Sequence, residues 1–505
     1  MLSKVQTCAI IGFNVEPIEV EVDFSTGFVG FNIVGLPDAA IKEAKERLIA
    51  AFKNSQISIN QNKRLTVNLA PADIRKEGPA YDLPIAVGMM LASTGINFDT
   101  SDCLFIGELS LEGRLRHTNG ILSAVIFAKE NNIKKIFLPE LNANEAALVG
   151  GMEIYPVKSI SQLFSHVQGI ELIETYKGKK LEEEIETENF DVDMAYVQGQ
   201  EHVKRALEIS ASGAHNLLMS GPPGSGKTLL ARTLPSIMPR LIEEEVLEIT
   251  KIYSIAGLLP HNQPLIHKRP FRAPHHTSSG ASLVGGGKFP RPGEISLAHR
   301  GVLFLDEFPE FPRQILDSLR QPLEDGIVTI SRAQGTLTFP ARFTLIAAQN
   351  PCPCGHFGNP QKQCICSPSQ VSNYQKKISG PILDRIDLHV DVPSVKFEKL
   401  TSKQVAEKSE DIRKRVHLAT RRQLERFKNK KINYNSEMGP NDIKEFCKID
   451  TATSELLKNA MMQLRLSARS YHRILKLART IADLAQEDDI KLEHVAEALQ
   501  YRPKE

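Results

Sequence analysis

Eight consecutive residues, Gly221, Pro222, Pro223, Gly224, Ser225, Gly226, Lys227 and Thr228, set glycines, a lysine and a hydroxyl in the pattern G-x-x-x-x-G-K-[ST]. Glycines in such a turn let backbone N–H groups close around phosphate oxygens. Lys227 adds positive charge, and the Thr228 hydroxyl is placed to ligate Mg²⁺. The apolar run NLLM precedes the turn and KTLLARTL follows it, so the pattern lies between a strand and a helix, as a phosphate-binding loop requires. Without that context it would be only a glycine-rich turn before a helix.

The stretch GVLFLDEF, residues 301–308, reads as a buried parallel strand ending in Asp306 and Glu307. Carboxylates at the end of such a strand face the crevice in which nucleotides bind. Asp306 is expected in the Mg²⁺ shell, and Glu307 is expected to orient and polarise an attacking water. A strand ending in two acids is weak by itself and gains its meaning from the phosphate loop. A further strand, FTLIAAQN, ends in Asn350, whose amide suits a hydrogen bond to the γ-phosphate or the water. Arg385, in GPILDRIDLHVDV, has two readings: a charge clamp on the ATP of a neighbouring subunit, or an ion pair with Asp384 or Asp387.

Cys352, Cys354, Cys364 and Cys366 follow closely in the pattern C-x-C-x₉-C-x-C. Four thiolates suit tetrahedral zinc, and such sites close short loops that lack a core. The bite departs from the common C-x₂-C, and His356 could replace one sulfur. The alternative is four reduced thiols, but Pro353, Gly355, Gly358 and Pro360 leave little apolar material to bury them. Four protein ligands leave no open position, so the expected zinc is structural.

These groups need a scaffold. At 505 residues and 41 % apolar content the chain is too long for one core and rich enough for two or three. An α/β region spans 1–175, with strand-like runs IEVEVDF, LTVNLAP, CLFIGELSL and KKIFLPE and helical runs between them. Residues 176–195 form an acidic linker, with seven acids and no base within 181–193. The nucleotide-binding α/β core spans 196–396 with the four-cysteine insertion at 350–367, and 397–505 reads as mostly helical. Nine Lys and Arg within 411–431 mark a basic helical face. Cys8 and Cys103 stand among apolar neighbours, as reduced buried thiols do. The opening segment is too short in its apolar run to span a bilayer, and no membrane partner and a cytoplasmic location are expected.

Phosphate loop, DE strand, amide-ended strand, LDRID arginine and helical lid together resemble an AAA+ ATPase. The stretch KRPFRAPHHTSSGASLVGGGKFPRPGEISLAHRGVLFLDEFPEF resembles the magnesium-chelatase-like branch, and within it the ComM/YifB family, over essentially the whole chain. The resemblance implies a hexameric, ATP-driven DNA motor for branch migration in natural transformation, with ATP, Mg²⁺ and DNA, single-stranded and branched, as ligands. It makes Arg385 an arginine finger acting in trans. The helix SARSYHRILKLARTIADL resembles the segment that supplies a second sensor arginine, Arg469 or Arg473. It also implies two insertions directed at the pore of the ring. Their candidate DNA contacts are Lys288 and Arg291 in the first, a Gly-, Pro- and Ser-rich loop, and Arg332 near the tip of a hairpin in the second. The plain alternative is two surface loops.

The segments KEGPAYDLPIAVGMM and IGELSLEGRLRHTNGILSAVIFAKENN resemble the proteolytic domain of Lon-type proteases. Ala80 stands at the position of the nucleophilic serine and Leu122 at that of the lysine base, and neither can attack a carbonyl or accept a proton. Ser123 and Lys129 are near but at the wrong spacing. The resemblance therefore implies a protease-like fold without peptidase chemistry. Two rival functions use the same engine: a magnesium-chelatase-type motor subunit, or a protein-remodelling ATPase.

Overall fold

A computed structural model describes residues 2–59, 63–178, 190–260, 265–287, 291–332, 335–359, 362–394, 406–464 and 466–503. The chain folds as two compact units, Met1–Glu186 with Val246–Ile266, and Thr187–Glu245 with His267–Glu505.

In the first unit, β1 (Leu2–Ile11), β2 (Asn14–Ser25), β3 (Gly30–Val34), β4 (Arg64–Ala70) and β5 (Cys103–Phe105) precede a small pair, β6 (Glu108–Leu109) and β7 (Leu115–Arg116); β8 (Lys135–Pro139) and β9 (Glu153–Val157) follow. Seven of these form one sheet in the order β3-β4-β2-β1-β5-β8-β9. β1 and β2 are antiparallel over their whole length, whereas β5, β8 and β9 run parallel. Alternation in β2 buries Ile18, Val20, Val22 and Phe24 and leaves their neighbours half-buried, which fixes its register.

The helix Asp82–Thr94 is buried over most of its length. At its start Asp82 accepts bonds from Arg47 at 2.9 and 3.0 Å and from the Leu109 N–H at 3.1 Å. Burial raises the Asp82 carboxyl above its ordinary range, and Arg47 opposes the rise. Ala80, just before this helix, is half-buried. Leu122, in the helix Ile121–Glu130, is fully buried and donates its backbone N–H to Glu145 at 2.9 Å. The Ser123 hydroxyl is buried without a partner, and Lys129 is exposed. Ser254 accepts the Gly120 N–H at 3.0 Å and bonds to Glu145, so the segment 246–266 is tied into this unit by polar bonds.

In the second unit β10 (Leu217–Ser220), β11 (Phe271–Arg272), β14 (Val302–Leu305), β17 (Thr344–Gln349) and β18 (Leu388–Asp391) form a parallel sheet in the order β11-β14-β17-β10-β18. The side chains of β14 are all buried, and those of β10 and β17 are buried up to their last residue, so these strands carry apolar runs without alternation. Between β11 and β14 lie the five-residue helix Gly280–Val284 and the short pair β12 (Gly285–Gly286) and β13 (Arg291–Pro292). The hairpin β15 (Ile327–Arg332) and β16 (Gly335–Pro340) precedes β17. Helices Ser409–Arg426, Thr451–Gln463, Ala468–Leu484 and Leu492–Gln500 make up most of residues 406–503. No helix among the described residues is long and apolar enough to cross a membrane.

Candidate nucleotide site and its surroundings

The phosphate loop joins β10 to the helix Lys227–Ile237. Gly224 and Gly226 hold φ of +74° and +89°, backbone that favours glycine. A Cβ on Gly221 would lie 2.2 Å from the Val392 carbonyl oxygen, so that glycine is required by packing. Lys227 Nζ donates to the carbonyls of Gly221 at 2.8 Å and Pro222 at 2.9 Å and to Asn350 Oδ1 at 3.3 Å. Burial lowers the Lys227 pKa, and the Asp306 charge pulls it back up. The Ser225 hydroxyl is buried with no hydrogen-bond partner. An orphaned donor beside a helix N-terminus and a lysine fits a polyphosphate.

Adjacent parallel strands bring the other groups to the same end of the sheet. Asp306, after β14, accepts the Thr228 hydroxyl at 2.8 Å through one carboxylate oxygen and the Glu307 N–H at 2.9 Å through the other. A hydroxyl and a carboxylate at that separation suit one hard cation with oxygen ligands. Glu307 holds φ +51° and ψ +44°, a left-handed conformation uncommon for a side-chain-bearing residue. Its carboxylate is half-exposed and lies 3.0 Å from Nδ1 of His276. Sequence reasoning missed His276. The available signal was topological: chain leaving β11, the neighbour of β14, emerges at the same crevice as chain leaving β14.

Arg385 pairs with Glu324, a residue 61 positions away, rather than with Asp384 or Asp387. It also donates to the Pro381 carbonyl at 2.6 Å, while its Nε is buried without a partner. Arg469 lies 3.6 Å from the same Glu324, and Arg473 lies 3.8 Å from Asp387. Arg385 above all, with Arg469 and Arg473, holds the Glu324 carboxyl below its usual range. These three arginines line one cavity of about 550 Å³ together with Arg342, His472 and Lys476. Among the described residues, Lys227, Thr228 and Asp306 are not part of that lining. Arg469 and Arg473 sit one turn apart in the helix Ala468–Leu484, which puts both on one face.

Cys352, Cys354, Cys364 and Cys366 converge so that their sulfurs all lie within 4.8 Å of one another. Three of the separations are 3.4, 3.7 and 3.5 Å, and tetrahedral zinc at its usual Zn–S distance requires about 3.8 Å. The Phe357 N–H points at Cys352 Sγ at 3.3 Å and the Cys366 N–H at Cys364 Sγ at 3.4 Å. Backbone N–H groups of His356 and Ile365 bring the Cys354 thiol down to about 6, whereas burial and the neighbouring sulfurs, outweighing a backbone N–H each accepts, push Cys364 up to about 12 and raise Cys366, so the crowded sulfurs do not all favour the thiolate. Gly355, at φ +80°, lies against Pro223 of the phosphate loop. His356 is not one of the converging ligands among the described residues, and its Nδ1 is buried without a partner.

The candidate DNA contacts are placed less fully. Lys288 lies outside the described residues. Arg291 is exposed on β13, and Arg332 stands opposite Gly335 at the end of the hairpin, where only the backbone is described.

Residues 193–400 match the family described as magnesium chelatase, subunit ChlI; residues 20–142 match subunit ChlI of Mg-chelatase, and 406–502 match the ChlI C-terminal region. The fold and site thus define a magnesium-chelatase-like AAA+ protein. Competence protein ComM of Haemophilus influenzae is 41 % identical over 510 residues, covering 99 % of this chain and 97 % of the relative. YifB of Escherichia coli is 41 % identical over 505 residues with the same coverage, and the DNA replication licensing factor Mcm2 of Drosophila melanogaster is 25 % identical over 224 residues, 42 % of this chain and 22 % of its own length. The chain belongs to the ComM/YifB family.

Proposed function

We propose that this chain is an ATP-hydrolysing, hexameric motor that moves on single-stranded and branched DNA and drives branch migration and strand exchange in natural transformation. The observation that carries the nucleotide half is the 2.8 Å bond between Thr228 and Asp306, beside a lysine that also reaches Asn350. Those contacts join three neighbouring strands, β14, β17 and β10, at one crevice. The DNA half is supported by near full-length likeness to a competence protein and by the shared stretch with a replication licensing factor.

In this reading Thr228 and Asp306 hold Mg²⁺, which when bound neutralises charge on the phosphates. Gly221 to Gly226 present backbone N–H groups, and Ser225 gains the partner it lacks. Lys227 exchanges the carbonyls of Gly221 and Pro222 for phosphate oxygens. Asn350 bonds to the γ-phosphate or the attacking water, and Glu307 orients and polarises that water. Arg385 reaches the ATP of the neighbouring subunit, and Arg469, with Arg473 as the alternative, serves as second sensor. Lys288, Arg291 and Arg332 contact DNA phosphates from the pore. Cys352, Cys354, Cys364 and Cys366 hold a structural zinc. With alanine at 80 and leucine at 122, the first unit is a protease-like domain without peptidase activity that serves assembly or substrate contact.

The test is steady-state ATP hydrolysis with and without DNA. Stimulation by single-stranded or branched DNA is expected. Stimulation only by a protein or porphyrin partner would instead favour a remodelling ATPase or a chelatase motor, the latter being the activity in the matched family's description.

A further inference from the structure

Glu324 has no part in the roles assigned above, yet two arginines that do have such parts meet at its carboxylate. Arg385 Nη2 donates to Oε2, and Arg469 Nη2 lies 3.6 Å from Oε1. The two arginines come from separate segments, one from the turn before β18 and the other from the helix Ala468–Leu484. Guanidinium ions repel one another at short range, and a carboxylate between them offsets the repulsion. The Arg385 Nη1 bond to the Pro381 carbonyl at 2.6 Å holds the same group from a second side, which sets the plane of the guanidinium. Arg473, one turn along the helix from Arg469, is committed elsewhere. It donates to the Ile386 carbonyl at 3.3 Å and lies 3.8 Å from Asp387, and its side chain is 14 % exposed against 54 % for Arg469. Glu324 thus pairs Arg385 with the more accessible of the two.

The carboxylate is itself fixed by its neighbours. Glu324 lies in the helix Arg320–Asp325, and Arg320, one turn before it, donates to Ser379 Oγ at 3.2 Å, which ties the helix to the segment that leads to Arg385. Gln321 donates to Thr329 Oγ1 at 3.0 Å, and the Ala341 N–H donates to the Gly326 carbonyl at 2.8 Å, so the helix is also tied to the base of the hairpin. Gly326, at φ +68°, ends the helix against Arg342, whose Cγ would lie 2.7 Å from an added Cβ. The Glu324 side chain is 52 % exposed, and an ion pair in that setting contributes little to stability. The arrangement instead provides two guanidinium groups, held together on the lining of the cavity of about 550 Å³.

We infer that Glu324 is a positioning residue that assembles Arg385 and Arg469 into one receptor for the phosphates of the neighbouring subunit's ATP. This rests on the ATPase reading given above. A phosphate that arrives there meets N–H groups already oriented and charges already brought together, so two long side chains need not be ordered as the transition state forms. Without Glu324 both arginines remain but are free to part. That slows hydrolysis at the neighbour's site and leaves nucleotide binding at the chain's own phosphate loop unchanged.

The experiment uses the full chain and measures kcat and KM for ATP. Glu324→Ala is expected to lower kcat about 10-fold with KM changed less than about 2-fold, and Glu324→Gln, which keeps the shape and one acceptor oxygen, to lower it about 3-fold. Equal mixtures, reassembled, separate this role from a structural one. With Lys227→Ala, whose arginines are intact, Glu324→Ala is expected to exceed the mean of the two separate rates about fivefold; with Arg385→Ala, whose loop is intact, it is expected to equal that mean. Should Glu324→Ala fail to fold, Glu324→Gln decides in the same mixtures, with an expected gain of about twofold beside Lys227→Ala and none beside Arg385→Ala. The reverse pattern, a gain in neither mixture, or an unchanged kcat overturns the inference. The mixture of Lys227→Ala with Arg385→Ala is the control. If it recovers activity while the Glu324 pattern fails, the ATPase reading stands without this role for Glu324; if it recovers none, action of Arg385 between subunits falls together with the inference.

Discussion

A Cβ placed on Gly355 would lie 2.4 Å from Cδ of Pro223, so the four-cysteine loop meets the phosphate loop with nothing larger than a hydrogen between them. The loop is thus more than a bridge between Asn350 and Arg385, because it braces the turn that carries Gly221 to Thr228. Gly355→Ala is expected to push Pro223 away and to incur about 1–2 kcal/mol for its positive φ, raising the KM for ATP about tenfold or more. Metal analysis is expected to find about one zinc per chain, and Cys352→Ser with Cys354→Ser to reproduce the KM defect. A Gly355→Ala chain with unaltered KM would disconnect the cluster from nucleotide binding.

The pairing of Arg385 with Glu324 gives a test of action between subunits. Arg385→Ala and Lys227→Ala are each expected to lose about 10³-fold or more in ATP turnover, Arg385→Ala without change in fold. Mixed in equal amounts and reassembled, the two variants are expected to recover roughly a quarter of the unaltered rate, since random closed rings place an intact loop beside an intact arginine in that share of sites. A mixture as inactive as its components would place the arginine in cis or in a structural role.

His389 supplies a pH dependence. Burial first, and then the Arg502 charge, lower its pKa to about 4 from the ordinary value near 6.5. The folded state therefore binds this proton more weakly than the unfolded chain does. The contribution of His389 to stability is fully present above pH 6.5 and is lost as pH falls through 6.5 toward 4, to an extent on the order of 3 kcal/mol or less. Thermal midpoints measured from pH 8 to pH 4 are expected to fall across that window, and His389→Gln to flatten the fall.

The strands that carry the site were legible because buried parallel strands leave short apolar runs bounded by a polar terminus. VLFL before Asp306 and TLIAAQ before Asn350 both have that form. The hairpin was legible from two β-rich runs about a turn, and the cysteine convergence from spacing. What escaped lies in long-range pairing. Glu324 and Arg385 are separated by 61 positions, so the ion-pair alternative for Arg385 was framed on the acids nearest in sequence. Val246–Ile266 follows the phosphate-loop helix in sequence yet folds with the first unit, and only contacts such as Ser254 with Glu145 reveal it. His276 was hidden because the two-residue strand β11 is too short to register as a strand, and its pairing with β14 is what puts His276 beside Glu307.

The central claim, an ATP-driven DNA motor, is tested most directly by branch migration of a labelled four-way junction, with and without ATP, by the unaltered chain and by Lys227→Ala. Conversion of the junction to duplex products is expected only with the unaltered chain and only with ATP. Migration that persists in Lys227→Ala, or an unaltered chain that hydrolyses ATP but leaves every junction intact, would contradict it.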